Sequence, residues 1–367
     1  MNRISCIVAL LVVISLAGCG NEQKEVGMEP SAGKGREIVL FTWDEYFSPE
    51  LLETFEKETG IRVKLEFYED TEEMAEEVRV NASAYDVIVA DGRTIDLLSD
   101  ARVLHEIDVP NLVNISREFR KPPYDQVKAY SVPYMWGTTL LAYRKDLIQP
   151  SSRSWSLLKD PEVAGKVALL DEKQECFMIG LLLAGKSIDQ ATPEDLETAQ
   201  LQLSEIVENG RVKFMSDVDT IENLPKGDEI AVAMMYSGDA SRAAAENENV
   251  DFFIPDEGAS VWMDSFVVSR DTNSLEDAKA FINFMQRPEI AAASSDFVGF
   301  ATPNKEAWPI LDKINPDMRN NKALYPDSEV LERCGSLAVS PKLDAVMNRG
   351  WKSLHKSKNV EESISAN

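Results

Sequence analysis

Strand and helix patterns alternate along this chain from Glu37 onward, and no other feature restricts its fold as much. Short apolar segments such as EIVLFTW, IRVKLEFY and YDVIVA are typical of buried strands, and the amphipathic segments between them are typical of helices. The first helix pattern, SPELLETFEKETG, has Ser48 before its first turn, Pro49 within that turn and Gly60 at its end. The alternation continues through VWMDSFVV to SLEDAKAFINFMQRP. It predicts an α/β fold with mostly parallel sheets and helices on both faces.

The first 36 residues do not follow this alternation. A basic start, MNR, precedes the apolar run IVALLVVISLAG, which has the length of a signal-peptide core and is too short to span a bilayer. The run ends in LAGC, which resembles the bacterial lipoprotein signal and implies cleavage before Cys19 and lipid on that residue. Residues 1–18 are therefore predicted to be a signal peptide, and residues 19–36 a lipidated, flexible tether about 20–25 Å long. The rest of the chain is expected outside the cytoplasm, anchored to a membrane.

The chain is strongly acidic, with a formal net charge of −25 among its 367 residues. Loss of residues 1–18 would leave 37 basic and 63 acidic side chains, a net charge of −26. A surface this acidic argues against nucleic acid or an anionic membrane surface as a partner, and it attracts cations. The 349 residues that remain after the signal predict two domains.

Cysteine and histidine are scarce. Besides Cys19, the mature chain would keep only Cys176 and Cys334, and the sequence leaves open whether these two form a disulfide. His105 and His355 lie in unrelated segments, so the sequence predicts neither a metal site built from His and Cys ligands nor a cofactor.

The enzyme motifs that the sequence contains are weak. GLLLAGKS, residues 180–187, fits the P-loop expression, but the apolar segment ECFMIGLLLAG predicts a helix that ends near Gly185 rather than a phosphate loop. Neither the Gly-x-Ser-x-Gly elbow nor the His-Glu-x-x-His helix occurs in the chain. The motifs therefore give no support for a nucleophilic or a zinc-dependent hydrolase.

Three acidic groups occur beside aromatic residues or after strands. In VWMDSFVV, Trp262 and Asp264 are two residues apart and would share one face of a strand. The segment DEKQE, residues 171–175, follows the strand pattern KVALL, and ligands of open α/β sheets bind beyond the carboxyl ends of strands. The third group, in FTWDEYF, also follows a strand and consists of Trp43, Asp44, Glu45 and Tyr46.

Carboxylates beside aromatic faces suit a cation with apolar parts. Aromatic faces attract ammonium groups, carboxylates bind them through charge-assisted hydrogen bonds, and apolar walls favour methylene groups. A linear diamine or polyamine fits this chemistry. The same side chains also line sugar-binding clefts, and two acids can hydrolyse glycosides, so these readings stay open at this point. A structural reading stays open as well, with Asp264 satisfied by backbone amides and Trp262 in the core.

The wider sequence resembles the periplasmic spermidine/putrescine-binding proteins of ABC importers, the PotD/PotF family. The resemblance extends from about Val39 to about Trp351 and includes WDEY, TGIRVKLEFYE, AYDVIVA, YSVPYMWGT, VWMDSFVV, ATPN and LYPD in order. It implies a two-lobed periplasmic-binding-protein fold of type II with a ligand cleft between lobes that are joined by crossover strands. The implied lobes are residues 37–140 with 263–306, and residues 141–262 with 307–356, followed by a polar tail, 357–367.

The resemblance also implies a set of ligand-binding residues. Its motifs place them at Trp43, Asp44, Glu45, Tyr46, Asp91, Glu172, Glu175, Ser216, Tyr236, Trp262, Asp264 and Phe300. Asp264 would be the counter-ion of a bound ammonium, with Trp262 against the adjoining methylenes.

Three positions depart from the family. In ADGRT, Asp91 and Arg93 stand where serine and tyrosine are frequent, and an arginine in the cleft would repel an amine unless it pointed away or paired with Asp91. Phe300 replaces a frequent tyrosine, and Tyr236 replaces a frequent tryptophan. The preference between putrescine and spermidine is therefore left open.

The expected function is a monomeric, lipid-anchored receptor that captures polyamines and delivers them to an ABC permease and its ATPase. Three alternatives remain: the same fold with another solute, such as a sugar, an Fe(III) species or another organic cation; a glycosidase; and a polyamine sensor or adhesin. Iron is disfavoured because the implied site is rich in tryptophan instead of clustered tyrosines.

Overall fold

The structure, a computed structural model, describes residues 36–120, 122–125, 130–337 and 340–365. The predicted signal peptide, the lipidation site Cys19 and the tether up to residue 35 lie outside the described residues. Within the described ranges, the strands are Arg36–Thr42 (β1), Ile61–Phe67 (β2), Val87–Asp91 (β3), Ser131–Arg144 (β4), Val167–Leu170 (β5), Lys213–Met215 (β6), Val232–Tyr236 (β7), Val250–Phe253 (β8) and Val261–Val268 (β9).

Helices connect these strands and follow the last of them. They are Pro49–Thr59 (α1), Thr71–Val80 (α2), Gly92–Asp100 (α3), Lys173–Leu183 (α4), Pro193–Gly210 (α5), Asp217–Asn223 (α6), Ser237–Glu246 (α7), Leu275–Met285 (α8), Pro288–Val298 (α9), Trp308–Ile314 (α10), Pro316–Asn320 (α11), Ser328–Leu331 (α12) and Pro341–Ser365 (α13). Short 3-10 turns, such as Pro110–Asn114 and Trp155–Lys159, lie in the connections. Among the described residues, no helix combines the length and the apolar character needed to cross a membrane.

The strands form one curled sheet in the order β2-β1-β3-β9-β4-β7-β5-β6, with β8 paired to β4. Strands β1, β2 and β3 pair in parallel, as do β5, β6 and β7. Strands β4 and β9, however, run antiparallel to all their partners. The prediction of mostly parallel pairing was therefore wrong in the middle of the sheet, where two strands pass in opposite directions between its two halves.

Strand β4 is the longer of the two crossing strands. Its first half, from Ser131 to Thr138, pairs with β9, and its second half, from Thr139 to Arg144, pairs with β7 and β8. The sequence pattern predicted only the second half, GTTLLAY. The first half contains Pro133, which has no N–H for the ladder, and the register shifts between Pro133 and Met135.

Each half of the sheet is covered by helices on both faces. In the first lobe, the name we give to β1–β3 with their helices, α1, α8 and α9 pack on one face and α2 and α3 on the other. In the second lobe, built around β5–β8, α4, α5 and α13 pack on one face and α6 and α7 on the other. The two-lobed fold is confirmed. The residue boundaries given above for the lobes stay a prediction.

Two helix ends agree with the sequence pattern. Gly60 ends α1 in the left-handed conformation, at φ +70°, and its amide donates to the Glu56 carbonyl oxygen. The P-loop match at residues 180–187 is confirmed as accidental, because its first four residues lie in the buried helix α4 and Gly185, at φ +66°, follows the end of that helix. Cys176 and Cys334 are free thiols in this structure.

Candidate functional site

Strand β9 carries the centre of the site. Asp264 lies opposite Asp91 of β3 and Met135 of β4, and its Oδ2 accepts a hydrogen bond of 2.7 Å from the Tyr46 hydroxyl. Burial raises the pKa of Asp264 to about 7; the hydrogen bond from Tyr46 opposes this shift and the Asp91 charge adds to it. Within the part of the chain that the structure describes, no basic side chain pairs with Asp264. The described residues therefore provide no counter-ion for this carboxyl group.

Trp262 forms an aromatic wall beside Asp264. Its ring meets Phe300 edge-to-face at 4.9 Å between centroids and Tyr236 at 5.7 Å. Gly137 of β4 lies directly beneath the ring, because a Cβ there would be 2.4 Å from Trp262 Cζ2. The indole Nε1 is buried and finds no hydrogen-bond acceptor among the described residues. The residue is only partly buried, so part of the ring stays accessible.

Glu175 of α4 is tied to the crossing strands. Its Oε2 accepts hydrogen bonds of 2.6 Å from the hydroxyls of Thr139 and Ser260. Burial raises its pKa, although both hydroxyls oppose the shift. Ser260 is two residues before Trp262 and four before Asp264, so the three side chains lie on the same face of the strand. Glu175 contacts that face through Ser260.

Glu172 lies one turn before Glu175, at the N-cap of α4. The residue keeps contact with solvent, but surrounding protein partly desolvates its carboxyl group, and the neighbouring Glu175 and Asp70 add negative charge. These effects raise the pKa of Glu172 to about 7. Glu172 is therefore the third acidic group here, after Asp264 and Glu175, whose ionised form is disfavoured.

The segment after β1 is only partly turned toward this centre. Tyr46 is buried and reaches Asp264, and the Trp43 ring packs on Tyr68 at 4.4 Å between centroids. Asp44 is exposed and accepts a bond from the Glu45 backbone amide. Glu45, in the left-handed region at φ 55°, faces Arg242 of α7 at 3.8 Å. Of the four predicted residues, the structure brings Tyr46 into direct contact with Asp264.

Two predicted site residues cap helices. The Asp91 carboxylate accepts bonds of 2.9 Å from the Thr94 amide and hydroxyl at the start of α3. The Ser216 hydroxyl accepts a 3.0 Å bond from the Asp219 amide at the start of α6. Asp91 acts on the site through its charge, which raises the pKa of Asp264.

Phe300 and Tyr236 close the aromatic wall between the lobes. Tyr236 ends β7 and lies opposite Thr139 of β4. Phe300 follows Gly299, which ends α9 at φ +86°, and its ring also meets Tyr46 at 6.2 Å. A Cβ on Gly238 of α7 would be 2.3 Å from Phe300 Cδ1, so the first turn of α7 touches this ring directly.

Arg93 does not point at the site. Its Nη2 lies 3.1 Å from Glu72 Oε1 and 3.4 Å from Asp344 Oδ1, away from Asp91. The sequence analysis expected Arg93 to repel an amine unless it pointed away or paired with Asp91. Arg93 does pair with carboxylates, but these are Glu72 and Asp344 instead of Asp91.

The sequence analysis missed one acidic residue of the site, Asp239. It lies in the first turn of α7 and is 4% exposed. Burial raises its pKa to about 8; Asp217 adds to the shift and Arg242 opposes it. Burial raises the pKa of Tyr236, and the charge of Asp239 adds to that shift along with those of Glu175, Glu172 and Asp217. The available signal was an acid soon after a strand, in YSGD, but SGDASRAAAE has too few large apolar residues for a clear helix pattern.

The site as a whole combines acidic side chains with aromatic rings. Four carboxyl groups with raised pKa values, Glu172, Glu175, Asp239 and Asp264, lie near an aromatic wall. Within the described ranges, no group of three or more His, Cys, Asp and Glu side chains is placed to hold a metal ion. An organic cation with an apolar stem would neutralise the acids and cover the rings.

Comparison with known proteins identifies the family of this chain. A family model described as bacterial extracellular solute-binding protein matches residues 50–324. The spermidine/putrescine-binding periplasmic protein of Escherichia coli K12 is 32% identical over 300 residues, which cover 80% of this chain and 84% of the relative. The putrescine-binding periplasmic protein PotF of the same strain is 29% identical over 343 residues, covering 87% and 91%.

Among solved structures, the substrate-binding protein PotD of a spermidine/putrescine ABC transporter from Streptococcus pneumoniae matches with a TM-score of 0.78 and 27% identity. The match covers 88% of this chain and 99% of that one. Because the family model spans most of the chain and these relatives align along most of their length, the chain belongs to the bacterial extracellular solute-binding proteins and is homologous to PotD and PotF.

Proposed function

We propose that this protein binds linear polyamines, putrescine or spermidine, outside the cytoplasm and delivers them chemically unchanged to an ABC transporter. The observation that carries the proposal is the partly buried Asp264, whose carboxyl group is desolvated, accepts a bond from Tyr46, lies beside the Trp262 ring and pairs with no basic side chain within the described residues. A bound ammonium would supply the missing charge. The names of the E. coli and S. pneumoniae relatives agree with this ligand class.

The spacing of the acids suits a linear molecule. A strand rises about 3.3 Å per residue, so Asp264 and Ser260, which binds Glu175, are about 13 Å apart along the strand with Trp262 midway. In our proposal one ammonium binds at Asp264 and another near Glu175. The methylenes between them lie on Trp262, where apolar contact and the attraction of cations to aromatic faces both favour binding.

The other predicted residues take supporting roles in this proposal. Glu172 and the newly found Asp239 add negative charge at the Glu175 end, and Phe300, Tyr236 and Trp43 enclose the methylenes. Asp91 and Ser216 hold helix starts at the cleft and contribute charge or a hydroxyl. The exposed Asp44 and Glu45 lie at its edge.

Three further elements belong to the proposal. Lipid on Cys19 anchors the receptor, as the segment LAGC suggests. The permease and its ATPase are the protein partners, and the receptor works as a monomer whose two lobes, 37–140 with 263–306 and 141–262 with 307–356, close on the ligand.

The test is calorimetric binding of putrescine and spermidine to the soluble protein lacking residues 1–19, unfolded and refolded first to remove carried-over ligand. Asp264→Asn should weaken binding of either amine at least about tenfold, because a charge-assisted bond is replaced by a neutral one. Asp256→Asn, at an exposed acid of the second lobe, is the matched control and should bind like the wild type. A folded wild-type protein that gives no heat with either amine would contradict the proposed ligand class.

A further inference from the structure

Four charged side chains join the two lobes beside the cleft. Glu72 and Arg93 lie in the first turns of α2 and α3, in the first lobe, and Lys173 and Asp344 lie in α4 and α13, in the second. Arg93 Nη2 is 3.1 Å from Glu72 Oε1 and 3.4 Å from Asp344 Oδ1. Lys173 Nζ is 3.5 Å from that same Glu72 oxygen and 3.1 Å from that same Asp344 oxygen. The four charges thus alternate in sign around a closed ring.

The second-lobe half of this ring is held in place. Lys173 Nζ donates to Asn348 Oδ1 at 2.6 Å, and Asn348 Nδ2 donates to Asp344 Oδ2 at 2.9 Å. The side chains of Lys173, Arg93 and Asp344 are only 13%, 22% and 27% exposed, whereas that of Glu72 is 59% exposed. Ion pairs that are partly shielded from water and joined in a network stabilise more than isolated surface pairs.

The ring is adjacent to the ligand site without belonging to it. Lys173 directly follows Glu172, and Arg93 is two residues beyond Asp91, yet both cationic groups turn toward carboxylates of the ring. Opening of the lobes would separate Arg93 from Asp344 and Lys173 from Glu72. A ring of this kind would therefore form only while the cleft is closed.

We propose that Glu72, Arg93, Lys173 and Asp344 form an inter-lobe clasp that favours the closed conformation and thereby slows ligand release. This inference rests on the proposed function for its ligand but concerns residues that do not touch that ligand. The clasp also gives Arg93 a place outside the cleft, in a position where a tyrosine is frequent in the family.

The experiment measures polyamine dissociation by stopped flow for the full chain in detergent, as wild type, Arg93→Gln, Asp344→Asn and the double variant. Each single variant should release ligand about threefold to tenfold faster, with a smaller change in association rate. The double variant should release it little faster than either single one, because both changes break one network. Arg93→Lys keeps the positive charge, so its dissociation rate should lie between those of the wild type and Arg93→Gln. Lys159→Gln, which breaks the Lys159–Glu205 pair within the second lobe, is the matched control.

The same proteins without ligand are compared by small-angle scattering, where loss of the clasp should raise the radius of gyration. Wild-type dissociation rates in Arg93→Gln and Asp344→Asn, or independent effects that multiply in the double variant, overturn the clasp. If the wild type binds no polyamine, the proposed function fails, and the clasp is then decided by scattering alone. An unchanged radius of gyration in the double variant would overturn it.

Discussion

Ligand binding should release protons from the cleft. Without a ligand, the pKa of Asp264 and of Glu172 is about 7 and that of Asp239 about 8, because desolvation of the carboxyl groups and nearby negative charges disfavour their ionised forms. An ammonium beside each carboxyl group favours the ionised form and lowers its pKa. At neutral pH a substantial fraction of these groups must therefore lose a proton when a cation binds.

The magnitude can be worked out for Asp264. Its pKa lies about three units above the ordinary value, so ionisation in the empty cleft costs about 4 kcal/mol relative to water. From pH 6 to pH 8, the ionised fraction of a group with a pKa of 7 rises from about one tenth to about nine tenths. The ligand amines, with pKa values near that of lysine at about 10.4, stay charged throughout. If only ionised Asp264 binds an ammonium, its contribution strengthens binding about tenfold as the pH rises through this range.

The assay is calorimetry of putrescine binding at pH 7 in phosphate and in Tris, two buffers that differ in their enthalpy of protonation. We expect different heats, with at least about half a proton released per ligand. Asp264→Asn should remove its share of the proton release together with about tenfold of the change in affinity between pH 6 and pH 8. The Asp256→Asn control should keep both. Equal heats in the two buffers and a constant affinity from pH 6 to pH 8 would refute the view that the empty cleft holds protonated carboxyl groups.

Two further predictions concern stability and packing. Asp264 is an acid whose pKa is raised in the folded state, so its contribution to folding is most favourable at low pH and is lost as the pH rises through about 7. Asp264→Asn should therefore raise the melting temperature of the ligand-free protein at pH 8 by several degrees while weakening polyamine binding. An unchanged or lower melting temperature in thermal unfolding would contradict the burial argument. Gly137→Ala would place a Cβ 2.4 Å from Trp262 Cζ2 and displace the ring. Calorimetry should therefore show that the folded variant binds polyamines at least about tenfold more weakly. Wild-type affinity for polyamines would mean that the ring position does not matter.

Local structure was largely predictable from the sequence. The two ends of α1 and the end of α4 near Gly185 depend on neighbouring residues alone. Proline restricts the backbone angle φ and glycine permits the left-handed conformation wherever they occur. The strand β9 and the pairing of Trp262 with Asp264 on one face follow from the two-residue period of any strand. The family motifs added two further predictions, the class of ligand and most of the acidic residues of the candidate site.

The direction of the central strands was not predictable in this way. Parallel and antiparallel neighbours have similar apolar patterns when both faces are buried, and the 14-residue strand β4 was hidden by Pro133. Asp239 was missed for a related reason, because the helix that buries it has mostly small residues.

The tertiary structure alone decided which charges meet. Arg93 is two residues from Asp91 in sequence but pairs with Glu72 and Asp344. Glu175 is held beside the face of Asp264 by Thr139 and by Ser260, which is 85 residues away along the chain. Sequence patterns are set by neighbours within a few residues. A desolvated carboxylate, by contrast, is stabilised by groups that only folding brings within a few ångströms, and its charge stays uncompensated where folding brings no such group. Composition and motifs thus determined that the chain is an acidic, two-lobed binding protein, and the packing of the lobes determined which acids of the described ranges pair with no basic side chain.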